Sequence, residues 1–453
     1  MSTLMSKRAL FTTGAITAGL GASALALMTQ RASADTPFSS FSFRANGGTV
    51  ARTMPDRLAD VKNVKEFGAV GDGAADDTAA IQAAINAGSA WGLNNYGAMW
   101  GCNIFFPPGV YKVSSALTNN TANSYVCLMG SGQYSCMLVG NFNGYVIDQN
   151  DSAAGGINAI EGLHVVNYST APGSGAIRFN NSQEGTIRQC YIQGFNGLNA
   201  SSNTFNTIVS ECNFVNPFSA GTPGTVGIYS AQIGIYNCTV MGWDVGLQGF
   251  NAGLVIHGSR FEVNSTGILL GKDPTGAINT LSGFSISGLS TERCNTAIDI
   301  VSAVAGIISG AALTGTVNVT GIGTPSYGII CRNVEAVTIS GVIISCYASV
   351  AGIDISSVAG LNVAFEGTMV GIGPGMGLPW NMPTVNHSIF SYTNCNNPSA
   401  AFAFSNLPTS PVEGMAFDIT DSNTATWGAA AAGGGSNHVR VRYNGLSWTV
   451  VGK

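Results

Sequence analysis

The chain has 453 residues, of which 45% are hydrophobic and only 9% charged, with sixty glycines and a formal net charge of −5. So much apolar content excludes charge-driven disorder, the lack of a G-x-y period excludes collagen, and an acidic balance without basic runs excludes the footprint of a nucleic-acid binder. Abundant Gly, Asn, Ser, Thr, Val and Ile with little Lys or Glu suit a large β protein with many tight turns.

Residues 1–34 read as an export signal: a positive start at Lys7 and Arg8, an apolar run of small residues from Ala9 to Met28, and Ala32-Ser33-Ala34 as the processing site. Ser6-Lys7-Arg8 also resembles a twin-arginine signal with Lys at one arginine, so both the general secretory and the twin-arginine routes stay open. Cleavage after Ala34 would leave fifteen bases against twenty-three acids and no integral membrane span, and the product is expected outside the cytoplasm, secreted, periplasmic or at the cell surface. Residues 35–60 are an N-terminal extension.

From Val64 the chain reads Val64-Lys-Glu-Phe-Gly-Ala-Val-Gly-Asp-Gly-Ala-Ala-Asp-Asp-Thr-Ala-Ala-Ile-Gln-Ala-Ala-Ile85, and then Ile104-Phe-Phe-Pro-Pro-Gly-Val-Tyr111. The first stretch predicts a strand, a turn at Gly71-Asp72-Gly73, and a helix whose start is capped by Asp76, Asp77 or Thr78. Ile81, Ala84 and Ile85 form its apolar face, suited to covering the open end of a stack of strands.

The middle of the chain is repetitive. An apolar-x-x-small-x-apolar pattern recurs as Ile187-Arg-Gln-Cys190-Tyr-Ile192, Val209-Ser-Glu-Cys212-Asn-Phe214, Ile235-Tyr-Asn-Cys238-Thr-Val240 and Ile256-His-Gly-Ser259-Arg-Phe261. Weaker copies begin at Ile160, Ile286, Ile308 and Ile339, so that successive anchors stand 21 to 31 residues apart. A second strand lies within most repeats, as in Ala176–Phe179, Gly267–Leu270, Ala297–Ile300 and Gly352–Ile355. Units this short cannot bury an apolar face alone, so they are expected to stack in parallel about 4.8 Å apart as a solenoid. Cys190, Cys212 and Cys238 then share one register position as small buried side chains. The cysteines and the four histidines contain no CxxC or HExxH, and no metal or cofactor is expected.

Head motif and repeats together resemble the pectate-lyase superfamily, which includes family 28-like glycoside hydrolases, rhamnogalacturonase-like proteins and phage tailspikes, over about residues 61 to 370. The resemblance implies an all-β fold, a right-handed parallel β-helix with an N-terminal capping helix, and a structural role for Asp72, Asp76 and Asp77. It also implies a polysaccharide as the partner, where the charge balance already excludes nucleic acid, and the homotrimer of similar tailspikes, although no coiled-coil heptad is visible. The acidic motifs of polygalacturonases and the Asp cluster of calcium-dependent pectate lyases are both missing from the repeats, so the resemblance informs the fold more than the reaction.

One internal alignment suggests chemistry. Phe261-Glu262-Val-Asn-Ser-Thr266 matches Thr291-Glu292-Arg-Cys-Asn-Thr296 at an offset of 30 residues, which puts Glu262 beside Glu292 in neighbouring coils. Two carboxyls about 5 to 5.5 Å apart suit a retaining glycosidase; the alternative is a polar ladder with Arg260 and Arg293 as partners. One coil earlier, Trp243 could stack on a sugar and Asp244 act on the next glycosidic oxygen, with His257 also near. The candidate catalytic residues are thus Asp244, Glu262 and Glu292, and the candidate substrate-binding residues Trp243, His257, Arg260 and Arg293. The expected activity is a polysaccharide glycoside hydrolase ahead of a lyase; the alternative is a non-catalytic glycan-binding or structural surface protein.

Beyond the β-helix domain, residues 61–372, come a Pro/Asn-rich linker, 373–408, and a small β module, 409–453. In the module Val439, Val441 and Tyr443 alternate with Arg440 and Arg442 before a turn at Asn444-Gly445. Gly433-Gly-Gly-Ser436 lacks the helix and Lys of a phosphate loop, which favours a capping or attachment role.

Overall fold

The computed structural model describes residues 42–58, 60–96, 101–119, 121, 124–149, 156–180, 185–202, 206–251, 253–314, 327–346, 351–355, 362–372, 378–381, 390–393, 403–407, 411, 413–414 and 416–452. The expected export signal and most of the expected linker lie outside these residues. The described residues before Val61 form a unit of their own, in which Ser42–Arg44 pairs antiparallel with Ala51–Thr53 and a short helix comes next at Met54–Leu58. Arg52 braces it, reaching Asp56 at 2.6 Å and Asp60 at 2.8 Å.

From Val61 the chain winds as a right-handed parallel β-helix with three strand columns. Ile160, Ile187, Val209, Ile235, Ile256, Ile286, Ile308 and Ile339 stand one above the next in the first column, each in register with its neighbour and fully buried. All eight anchors expected from the repeat therefore form one ladder. The second column is a twelve-stranded sheet whose middle residues, among them Val165, Ile192, Phe214, Val240 and Phe261, point inward. Ile177, Leu198, Ile228, Leu247, Ile268 and Ile298 do the same in the third. Each such side chain stabilises the fold by roughly 1.5–3 kcal/mol relative to exposure. Ladders of like residues thus hold each coil on the next.

The repeated six-residue pattern is a strand, a corner and a second strand, where the sequence reads as one strand. After Thr186–Arg188, Gln189 takes φ 52° and the chain bends into Tyr191–Gln193. Glu211 and Asn237 repeat the bend at 55° and 52°, and Gly258, Gly288, Gly310 and Gly341 continue it at 61°, 60°, 56° and 58°. Each corner N–H donates to a carbonyl of the next coil, as Glu211 does to Tyr236 at 3.0 Å and Asn237 to His257 at 3.0 Å. The small residue just past the bend must fit inside it. Cys190, Cys212 and Cys238 fill that place as buried free thiols, their sulfurs 3.2–3.3 Å from the carbonyls two residues back.

At the head, the helix Thr78–Tyr96 buries Ile81, Ala84 and Ile85 in the same core as Ile104 and Val126. The three acids before it are spent on structure. Asp77, 1% exposed, accepts from the N–H groups of Val70 and Gly71 at 2.6 and 3.1 Å. Asp76 accepts from the Ser114 hydroxyl at 2.6 Å and from Thr78 N–H at 3.0 Å, and Asp72 from the N–H groups of Ala74 and Ala75 at 2.9 Å.

At the other end Ala416–Ser422, Asn437–Tyr443 and Trp448–Gly452 make an antiparallel sheet with its own core of Ile419, Val439, Val441, Trp448 and Val450. Arg440 and Arg442 face solvent, and a strand, not a helix, comes after Gly433–Ser436.

Candidate functional site

In the second column the strands Thr239–Met241, Arg260–Glu262 and Ser290–Glu292 lie side by side in register. Their middle residues, Val240, Phe261 and Thr291, are 0–1% exposed, so the flanking side chains face out. Glu262 pairs directly with Glu292, and Thr266 with Thr296 in the third column, as the 30-residue offset predicts. One strand spacing, about 4.8 Å, separates the two glutamate backbones.

Each carboxylate has a guanidinium beside it. Arg260 Nη2 lies 2.5 Å from Glu262 Oε1 as an ion pair. Arg293 Nε lies 3.3 Å from Glu292 Oε1. The glutamates differ in access, the Glu262 side chain being 14% exposed and that of Glu292 44%. Arg293 reaches back to Glu292 because it sits at the second corner of the coil with φ 54°, where Val263 occupies the equivalent place one coil earlier at 56°. His257 ends the first-column strand Leu254–His257 on the far side of the first corner, exposed, with Nδ1 2.9 Å from Ser287 Oγ.

Two expected members of the site are placed otherwise. Trp243 is fully buried, and its indole N–H donates to the Phe214 carbonyl at 3.3 Å, so no sugar can stack on it. Gly242 turns the chain at φ 84° and sends the next side chain into the core, where Gly227 leaves room: a Cβ there would stand 3.2 Å from Trp243 Cδ1. Asp244 is the second residue of the third-column strand Trp243–Gly249, and its carboxylate accepts from Gly224 N–H of the preceding coil at 2.8 Å. It anchors a loop, around the corner from the glutamate pair.

The outward ladder of Arg260 continues backward through Thr239, Asn213, Tyr191 and His164, one residue per coil. No motif marks these positions. Their signal is the repeat itself, which puts every residue just after the Cys190, Cys212 and Cys238 positions on the outer face. Among the described residues, no group of three or more His, Cys, Asp or Glu is placed to hold a metal ion, and no helix is long and apolar enough to cross a membrane.

Residues 61–299 match the family model described as rhamnogalacturonase A/epimerase, pectate lyase-like, which is more than half of the chain. The chain belongs to this family. A mannuronan C5-epimerase, AlgE3, from Azotobacter vinelandii is 46% identical over 74 residues, 16% of this chain and 4% of the relative. A probable glucan endo-1,3-beta-glucosidase from Arthroderma benhamiae is 45% identical over 64 residues, 12% of this chain and 6% of the relative. The chain thus spans only a small fraction of these relatives' lengths. Among solved structures, the tailspike protein of E. coli bacteriophage HK620 superposes with a TM-score of 0.58 at 14% identity, covering 80% of this chain and 72% of the tailspike. The catalytic unit of an alpha-1,3-glucanase from Streptomyces thermodiastaticus gives 0.53 at 14% identity, covering 74% of this chain and 68% of that unit. At such identities the likeness is one of fold, and it fits the family assignment.

Proposed function

We propose that the chain is an exported protein that engages a polysaccharide along the outer face of the second strand column and cleaves its glycosidic bonds there, by hydrolysis ahead of elimination. The observation that carries this reading is the register pairing of Glu262 with Glu292 on an outward face, their backbones one strand spacing, about 4.8 Å, apart, which brings the two side chains within reach of the separation of about 5 to 5.5 Å that a retaining hydrolase needs between its carboxyls. Family membership and fold support it. In this scheme Glu262, closest to a guanidinium, attacks the anomeric carbon and forms the glycosyl-enzyme. Glu292, the more exposed, protonates the leaving oxygen and then activates water. Arg260, Arg293 and His257 hold sugar hydroxyls on either side. Asp244 and Trp243 have no part in it.

The test is a panel of plant and bacterial polysaccharides incubated with the purified chain, read for new reducing ends and for unsaturated uronate absorbance. Turnover should appear on at least one glycan and fall by about 10³-fold or more in Glu262→Gln, in line with the loss of a covalent nucleophile. No turnover on any class by a folded chain would overturn cleavage. That outcome would favour the second reading, a glycan-binding surface protein, for which the guanidinium beside each glutamate speaks. Export predicts a secreted product that begins at Asp35, read by N-terminal sequencing.

A further inference from the structure

Five coils before that of Glu262, the loop after the strand Tyr125–Gly130 folds back over the first corner and borders an open cleft of about 450 Å³. Gln133, Tyr134 and Ser135 form one wall, Gln189 and Glu211 the other, and Gly132 and Gly162 lie between them. The close approach depends on the glycines: Gly132 N–H donates to the Gly162 carbonyl at 3.1 Å, and a Cβ on Gly130 would stand 2.3 Å from that same oxygen. Asn213 reaches Gln133 Oε1 across the cleft at 3.5 Å.

Tyr134 is 79% exposed, which is unusual for a large aromatic. Its ring centre is 5.9 Å from that of Tyr191, which in turn meets the His164 ring at 4.7 Å, with His164 Nε2 2.8 Å from Gln193 Oε1. An aromatic step is thus built on the outward ladder of the second column and rimmed with amide side chains. We propose that this cleft is a saccharide-binding site for uncharged sugar residues, separate from the glutamate pair. It rests on the polysaccharide reading above and narrows it to neutral glycans.

The volume lies within the roughly 300–1,000 Å³ of small-ligand sites. Exposed tyrosines offer a flat apolar face for the C–H side of a sugar ring and a hydroxyl for its edge. Gln133 and Gln189 carry amides that can both donate and accept, which matches sugar hydroxyls. The charge argues against uronates. Among the described residues of the lining, Glu211 is the only carboxylate or cation, and it accepts from Gln189 Nε2 at 2.8 Å. Arg188, just outside, is paired with Glu161. Burial holds the His164 imidazole below its usual range, so it adds no positive charge at neutral pH.

The experiment uses the full chain carrying Glu262→Gln and Glu292→Gln, so that turnover at the paired glutamates cannot consume the probe. Gluco-, galacto- and manno-pentasaccharides and pentagalacturonate are titrated by calorimetry at physiological salt. At least one neutral pentasaccharide should bind in a way that depends on Tyr134, and the Tyr134-dependent binding of pentagalacturonate should be about tenfold weaker or absent; binding of pentagalacturonate that Tyr134→Ala leaves unchanged belongs to Arg260, Arg293 and His257. Tyr134→Ala should weaken the neutral ligand about tenfold or more without lowering the melting temperature, and Gln133→Ala should weaken it less. Glu211→Lys should bring pentagalacturonate binding up. Failure of every neutral pentasaccharide to bind at millimolar concentration, neutral-ligand binding unchanged in Tyr134→Ala, or a Tyr134-dependent preference for pentagalacturonate would each overturn the proposal. Wild-type turnover on polysaccharide with an unresponsive cleft would remove this site and leave the proposed function standing.

Discussion

Val263 is the residue under most visible strain. It holds φ 56° at the second corner, a region in which a β-branched side chain is rare. Its N–H donates to the Glu292 carbonyl at 2.9 Å, so the conformation is imposed by the stacking of two coils. Val263→Asn keeps that bond and suits the backbone better, and it should raise stability by about 1 kcal/mol, read as a higher denaturant midpoint. A lower midpoint would mean that packing of the valine outweighs the strain. Val263 adjoins Glu262, so the glutamate register was legible in the sequence while the bend beside it was not: the match of Glu262 to Glu292 needs only constant spacing, whereas the bend depends on φ. Trp243 shows the same limit. Its position in the repeat is plain, but the side of the corner it takes depends on Gly242 and on the space above Gly227.

At the level of the element, the first corner governs how one strand column passes to the next. Gly258 has φ 61°, and a Cβ there would stand 2.5 Å from Asn237 Oδ1 in the coil before. Gly258→Ala would therefore meet both an unfavourable backbone and a side chain that must move. It should cost about 1–2 kcal/mol from the backbone alone, visible as a lower melting temperature. Placing Gly on Asn237 as well, which suits that residue's own φ of 52°, should recover part of that loss by clearing the contact, and a double variant no more stable than Gly258→Ala would show the clash to be minor. The apolar anchors announced the columns well, because an inward ladder must be hydrophobic in every coil. The corners did not, because Gln189, Glu211, Asn237 and Gly258 share a conformation and no side-chain chemistry.

For the whole molecule, stability depends on nearest-neighbour stacking, and some of its ion pairs run along the axis. Arg178 clasps Asp148 one coil back, with Nε 2.7 Å from Oδ1, and Arg332 does the same to Asp299 at 3.0 Å. The thiols give the fold a sharper pH response. Burial pushes Cys136 and Cys331 up to about 12 and Cys294 to about 11, against 9.0 for a free thiol. The folded chain keeps these protons where the unfolded chain releases them, so stability is full below pH 9 and falls as pH rises toward 12. Melting temperature should drop steadily above pH 9, with a shallower slope in Cys331→Ala; an unchanged slope would remove that thiol from the effect. The same cysteines are spread from Cys102 through Cys136, Cys190, Cys212, Cys238 and Cys294 to Cys331, all of them buried and free of disulfides. A solenoid that frays from an end must uncover them in an order that names the end, whereas one that opens in the middle must uncover Cys212 and Cys238 first. The chain therefore carries its own set of position-coded probes, and the sequence in which alkylating reagents capture them would record the direction in which the coils come apart.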